Sequence, residues 1–247
     1  MAVRLCLKHL QKIQGLRSPI CIASFSSSSA KSLNSFPHRA IKQQRAIGVS
    51  NQASVFSSRA SIAMAKSSTE QDSRPNITIR PANLEDAKSI ADLGAQVFSD
   101  TFGHSVQPHE LQAFLDESYT VEAVTKELKD PQKDTILAFD QIGDLLGFAM
   151  LTRGSTEPCV ADLDGIVELQ RIYLYPKAHG TGTGKALAIR LEDMAREQGF
   201  KHIWLGVWQE NVRAQKAYEK WGYKVVGTHD FVVGSVVQTD DILVKKL

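Results

Sequence analysis

The stretch HGTGTGKA, His179 to Ala186, alternates three glycines with two threonines directly before a helical pattern and puts Lys185 in the first helical turn. Such a segment can gather successive backbone N–H groups and the positive end of a helix dipole around one anion, most naturally a phosphate. It is not a Walker A loop, which needs Gly five positions before the GK pair and Ser or Thr after it. Those positions hold His179 and Ala186. It is not the dinucleotide fingerprint either, since GxGxxG begun at Gly180 or Gly182 requires glycine where Lys185 and Leu187 stand. The other reading of these residues alone is a tight strand-to-helix turn whose glycines only relieve crowding.

The elements around the turn follow from periodicity. Ile77 and Ile79 alternate with polar neighbours as a half-buried strand, Pro81 breaks it, and Asn83 can cap a helix rich in Ala, Leu and Ile. The region PHELQAFLDESYTVEAVTKELKD reads as helix divided at Thr120. DTILAFD and LLGFAMLTR, separated by QIGD, carry a hairpin signal. After the polar loop GSTEPCVADLDG, the run IVELQRIYLYP is a long strand stopped by Pro176. Leu187, Leu191 and Met194 mark one face of a helix ending at Gly199. HIWLGVW is a further strand, NVRAQKAYEKWG a short helix capped by Asn211, and YKVVGTHDF and VQTDDILVKKL close the chain as strands. The order β, α, α, β, β, β, α, β, α, β, β predicts an α/β (α+β) layer fold, with helices packed on a twisted mixed sheet.

Charge divides the chain. Residues 1–69 hold ten of the 29 Lys/Arg, no Asp or Glu and fifteen serines, leaving 19 basic groups against all 27 acidic ones in the remainder. Within that leader Val3, Cys6, Leu7, Leu10 and Ile13 recur at helical spacing opposite Arg4, Lys8 and Lys12, the pattern of an organellar targeting peptide; a disordered basic tail is the alternative. Import into the mitochondrial matrix is the expectation, a plastid the second, and a start at Met64 would give a cytosolic form. A single domain is expected over 75–247. Cys159 is alone there, and the histidines His104, His109 and His229 lack ligand spacing, so neither a disulfide framework nor a metal site is expected. Trp204, Trp208 and Trp221 are expected to pack, Trp208 at the border of a cleft. No apolar run approaches the roughly 18–20 residues of a spanning helix, so a soluble product is expected. The acidic domain disfavours nucleic acid.

RIYLYPKAHGTGTGKAL resembles the acetyl-CoA-binding motif of the GNAT superfamily of N-acetyltransferases, whose turn reads Q/RxxGxG/A; His179, Gly182 and Gly184 occupy its positions, with His in place of Gln or Arg. NVRAQKAYEKWGY is similar to the family's second motif, NxxAxxxYxxxGF/Y, at Asn211, Ala214, Tyr218, Gly222 and Tyr223. The likeness covers about Ile77 to Leu247. THDFVVGSVVQTDDILVKKL resembles the PaiA-like branch, associated with spermine and spermidine acetylation.

The resemblance implies a GNAT-type fold and an acyltransferase moving acetyl, not aminoacyl, groups from acetyl-CoA to a primary amine, by direct attack in a ternary complex and without a metal. It places pantetheine along the main chain of Ile172, Tyr173 and Leu174 and at Asn211. The phosphates go to His179, Gly180, Thr181, Gly182, Thr183 and Gly184, with Lys185 adding charge, and Tyr218 is the proton donor to the departing thiolate. For the base, some relatives carry Glu at the position of Gly206; here the matching carboxylate is Glu168 on the preceding strand. Plain strand alternation puts Glu168, Gln170, Ile172 and Leu174 on one face. The alternatives are a surface or ion-paired Glu168 near Arg171, and a merely packed Tyr218. Polyamine-like small molecules or protein and peptide amines are the acceptors expected of an acidic domain, with acids of DES and ELKD as ammonium contacts or a solvated face. A homodimer is left open. A catalytically silent acyl-CoA-binding module is the alternative function.

Overall fold

A computed structural model describes residues 76–233 and 235–247; the basic leader lies outside them. Seven strands form one sheet in the order β1-β2-β3-β4-β5-β7-β6. They are β1 (Thr78–Pro81), β2 (Lys133–Phe139), β3 (Leu145–Thr152), β4 (Ile166–Leu174), β5 (His202–Trp208), β6 (Lys224–Val233) and β7 (Val236–Lys246). The helices are α1 (Ala87–Phe102), α2 (Pro108–Ser118), α3 (Val121–Leu128), α4 (Thr183–Glu197) and α5 (Val212–Lys220). Three helices precede β2, the last two of them the pair expected on either side of Thr120. Thr120 makes the division, its hydroxyl accepting the Ala123 N–H at 3.1 Å to cap α3. Asn83 caps a 3-10 turn, Leu84–Asp86, that leads into α1.

The apolar runs of β3 and β4 are continuous because both faces are covered. On one face Leu187, Leu191 and Ala195 of α4 and Ala214 and Tyr218 of α5 pack on Val167, Leu169, Ile172 and Leu174 of β4 and Ile203, Leu205 and Val207 of β5. On the other, Ile90 and Phe98 of α1, Phe114 of α2 and Val124 of α3 pack on Leu137, Phe148, Tyr173 and Trp208. Val160, from the loop after β3, joins Trp204 and Ile242.

Two irregularities in β4 position the site. The β3–β4 register steps from Met150↔Arg171 to Leu151↔Leu169, so Gln170 is an extra residue, a bulge that bends and twists the strand. The only parallel pairing among the described residues, β4 with β5, covers Ile166↔His202, Val167↔Ile203 and Glu168↔Trp204 and stops there. β4 continues to Leu174 on β3, and β5 to Trp208 on β7. The two central strands therefore splay into a V from Leu169 onward, just ahead of the bulge.

Candidate active site

β4 leads through a 3-10 turn, Pro176–Ala178, into the glycine turn. Gly180 and Gly182 have φ of 79° and 88°, the left-handed region that a side chain makes costly, and Gly182 is the N-cap of α4. Thr181 braces the bend: its hydroxyl donates to the Ala178 carbonyl at 2.8 Å and accepts the Thr183 N–H at 3.4 Å. The Ala186 N–H reaches the Gly182 carbonyl at 3.0 Å, closing the first helical turn. The amides of Gly184 and Lys185, ahead of it, have no intrahelical acceptor. They sit at the positive end of a 15-residue helix whose first turn has no acidic residue. Gly180, Thr181, Gly182 and Lys185 are exposed. The residues fit a diphosphate held by main chain.

The V between β4 and β5 opens behind this turn, leaving the β4 edge from Leu169 onward without a neighbouring strand. Tyr218 packs into the cluster that joins Ile172 and Leu174 to Leu205 and Val207. Trp221 and Tyr223 hold its ring edge-on, centroids 5.3 and 5.6 Å away. Its hydroxyl is buried with no hydrogen-bond partner among the described residues. Burial, with a smaller contribution from the Tyr173 phenol, holds its pKa far above the ordinary tyrosine value, so it is a neutral donor. An unmet buried donor costs about 1–3 kcal/mol, which a sulfur or oxygen entering the V would relieve. Asn211 is the N-cap of α5, its side chain accepting the Ala214 N–H at 3.2 Å. His179 takes a hydrogen bond on Nδ1 from Arg213 at 3.0 Å, tying the turn to α5. Burial and then the Arg213 charge lower the His179 pKa, which keeps the ring neutral.

The bulge overturns the expected alternation. Val167 and Leu169 share the α4/α5 side with Ile172 and Leu174. Glu168, opposite Thr152, is on the other side with Arg171 and Tyr173, facing the α1–α3 layer. It is not on the surface, being 1% exposed. Gln170 joins that side, its Oε1 accepting from Thr152 Oγ1 at 2.9 Å. Nearby, the Tyr119 and Tyr173 hydroxyls are 3.0 Å apart, and the Arg171 guanidinium lies 5.6 Å from the Tyr119 ring. Arg171 donates to both Glu127 oxygens at 2.5 and 3.1 Å, and Lys133 to one of them at 2.6 Å. Glu127, an acid of ELKD, is thus the half-buried partner of a buried Arg171.

Burial would raise the Glu127 pKa, but Arg171 and Lys133 outweigh it and hold the carboxyl at about 2. Glu127→Ala strands the Arg171 charge, 1% exposed, and the expected loss in unfolding free energy at pH 7 is about 3–5 kcal/mol. The folded-state value is depressed, so this stability is complete above the unfolded value of 4.5 and disappears as pH falls through about 2. Denaturant unfolding of both proteins at neutral and acid pH checks this: the gap between them should close on acidification.

Sequence reasoning missed Glu157, Gln238 and Asp240, all buried. Glu157 accepts from or donates to His229 Nδ1 according to protonation, at 2.9 Å; the contact with Glu157, against burial, raises the His229 pKa and favours the ion pair. Gln238 and Asp240 alternate with Ile242 on the inward face of β7. Polar residues at the buried parity of a strand were the signal available.

The profile of the Acetyltransferase (GNAT) family matches residues 96–223. An uncharacterized N-acetyltransferase of Mycobacterium tuberculosis is 34% identical over 164 residues, covering 66% of this chain and 99% of the relative. The spermine/spermidine N(1)-acetyltransferase of Bacillus subtilis is 31% identical over 90 residues, 36% of this chain and 59% of that protein. Among solved structures, the PaiA N-acetyltransferase of Thermoplasma acidophilum in complex with coenzyme A superposes with a TM-score of 0.56 at 24% identity, over 69% of this chain and 99% of its own. That likeness is one of fold: a mixed seven-strand sheet with helices on both faces. The profile crosses the glycine turn, the V and Tyr218 in one continuous match, and this chain belongs to the GNAT family of acetyltransferases and is an N-acetyltransferase.

Proposed function

We propose that the chain transfers acetyl from acetyl-CoA to an alkyl amine by direct attack in a ternary complex. The observation that carries this reading is the buried, unpartnered Tyr218 hydroxyl beside the open edge of β4, at the end of a main-chain anion cradle. The diphosphate goes to the His179–Gly184 turn with Lys185 adding charge, and pantetheine runs along Ile172, Tyr173, Leu174 and Asn211. An amine with pKa near 10.4 is almost wholly protonated at pH 7, so freeing its lone pair costs about 4–5 kcal/mol. Glu168, on the acceptor side of the sheet, takes that proton directly or through water. The amine nitrogen then bonds to the thioester carbon, whose oxygen is met by a main-chain N–H near Leu174. The carbon–sulfur bond breaks, the departing thiolate takes its proton from Tyr218, and the acylated nitrogen gives its second proton to the Tyr218 phenolate, restoring the phenol.

A small polyamine-like molecule is the acceptor we favour. The domain beyond the leader carries 27 acids against 19 bases, which raises the encounter rate of cations. Relatives point the same way: the Bacillus subtilis protein is a spermine/spermidine acetyltransferase, and a Vibrio cholerae spermidine N-acetyltransferase in complex with CoA and spermine superposes with a TM-score of 0.51 at 20% identity. Coenzyme A release measured against spermidine, an aminoglycoside, a lysine peptide and a free amino-terminal peptide tests the proposal. Spermidine should turn over fastest. Tight coenzyme A binding with no amine acetylated would instead leave a silent acyl-CoA-binding module.

A further inference from the structure

We infer that the adenosine end of the co-substrate lies in the cavity between the tip of the β2–β3 hairpin and the glycine turn, its base against Ile142 and Gln141. This rests on the acetyl-CoA reading above and adds where the nucleoside is held.

A cavity of about 490 Å³ opens there. Ile77, Ile142 and Leu146 wall it with apolar surface, Gln141 adds an exposed amide, and Thr181 and Thr183 of the glycine turn close one end. The same two threonines therefore border both the cavity and the anion cradle. Their hydroxyls, 2.7 Å apart, are engaged with each other and with the Ala178 carbonyl, so they serve as wall. The facing wall is held in place. At the hairpin tip Asp140 Oδ1 accepts the Ile142 N–H at 3.1 Å and the Asp144 N–H at 2.8 Å. Lys177, from the 3-10 turn before the glycines, donates to Asp144 at 2.8 Å and ties the tip to the turn. The Tyr175 N–H on the Leu146 carbonyl at 2.9 Å is a second tie. On this braced tip Ile142 stands 86% exposed.

Covalent reach selects the occupant. The nucleoside of coenzyme A is joined directly to the diphosphate, so its base must lie in what adjoins the turn. The V flanks the turn on the β5 side and takes the pantetheine, whereas the cavity flanks it on the β2 side. The two arms of the diphosphate then leave in opposite directions. The lining chemistry agrees. Adenine has two flat apolar faces, which the aliphatic wall can cover, and covering Ile142 withdraws apolar area from water. Its edge sets an amino donor beside a ring-nitrogen acceptor, the pair that one carboxamide meets with both of its groups. Gln141, next to Ile142 on the hairpin tip, supplies that carboxamide. Asp140 also lines the cavity, and its charge repels a phosphate. The base therefore enters and the ribose phosphate stays toward solvent.

Solution NMR of the full chain with labelled isoleucine methyls, together with calorimetry, tests the assignment. With coenzyme A bound, nuclear Overhauser effects should join an adenine ring proton to the Ile142 methyl, and adenosine 3′,5′-bisphosphate alone should shift the Ile142 and Ile77 signals. Ile142→Asn, at an exposed position, should weaken coenzyme A by about fivefold or more with the melting temperature unchanged. The same variant should weaken 4′-phosphopantetheine, which has no nucleoside, by less than about twofold. Ile142→Leu should keep coenzyme A within about twofold of wild type, and Gln141→Ala should weaken it by about threefold. Equal losses for the two ligands in Ile142→Asn, unchanged coenzyme A affinity, or bound adenine with no Overhauser effect to Ile142 overturns the inference and leaves the acetyltransferase assignment standing. Failure of the wild type to bind coenzyme A at all sinks the reading beneath it.

Discussion

Gly182→Val should weaken acetyl-CoA binding by at least ~100-fold while leaving the domain folded. The residue sits at φ 88° as the N-cap of α4, where a β-branched side chain costs about 1–3 kcal/mol of strain. The bend can relieve that strain only by rotating the peptide planes whose N–H groups are proposed to hold the diphosphate. A hydrogen bond to a charged group contributes about 1.5–3 kcal/mol, so misaiming two of them costs about 3–6 kcal/mol, or ~10²- to 10⁴-fold in affinity. The core beneath the turn, Leu187 and Leu191 on Leu169 and Ile172, does not use the Gly182 side of the bend. Calorimetry with coenzyme A, alongside circular dichroism of the same sample, checks the result. Unchanged affinity in a folded Gly182→Val protein would remove the turn from the binding site.

Tyr218→Phe should separate activity from stability in opposite directions. Without the phenol the thiolate leaves unprotonated, and kcat is expected to fall ~10²- to 10⁴-fold, the usual worth of a positioned acid. Coenzyme A affinity should hold, because the diphosphate contacts lie on a different element. Meanwhile the ligand-free protein loses a buried donor that has no partner among the described residues, recovering about 1–3 kcal/mol. For a domain of this size each kcal/mol raises Tm by about 2–4 °C. A merely packed tyrosine would show the rise in Tm without the loss in kcat, so steady-state kinetics and a melting curve on one preparation decide the role. The ring must stay: Tyr218→Ala would open a cavity among Trp221, Tyr223 and Ala214 and confuse the two readouts.

Local chemistry made much of this legible. Alternation in IVELQRIYLYP, the glycine turn and the cap at Asn211 placed β4, α4 and α5, because caps, turns and periodicity act within a few residues. The bulge at Gln170 was not legible. One extra residue reverses every side chain beyond it, and nothing in VELQRIYL distinguishes a plain strand from a bulged one. Glu168 was therefore given the wrong side; it is buried on the face that meets the α1–α3 layer. Glu127 was legible only as a helix acid, since its partner Arg171 is 44 residues away. Asp240 and Gln238 needed the register between β5 and β7, which brings Gly206 and Trp208 to them from over 30 residues upstream; a single chain's periodicity carries parity but not pairing.

Three rungs join β4 to β5. On one side lie β1 to β3, on the other β7 and β6, so the sheet is two half-sheets basted together at one end. β4 sits in the middle of the sheet yet has the open flank of a border strand. Its free amides should exchange with deuterated solvent at the pace of an edge until a pantetheine arm lies along them. On the proposed binding mode the co-substrate would serve as a temporary extra strand, and loading it would stitch the two halves together.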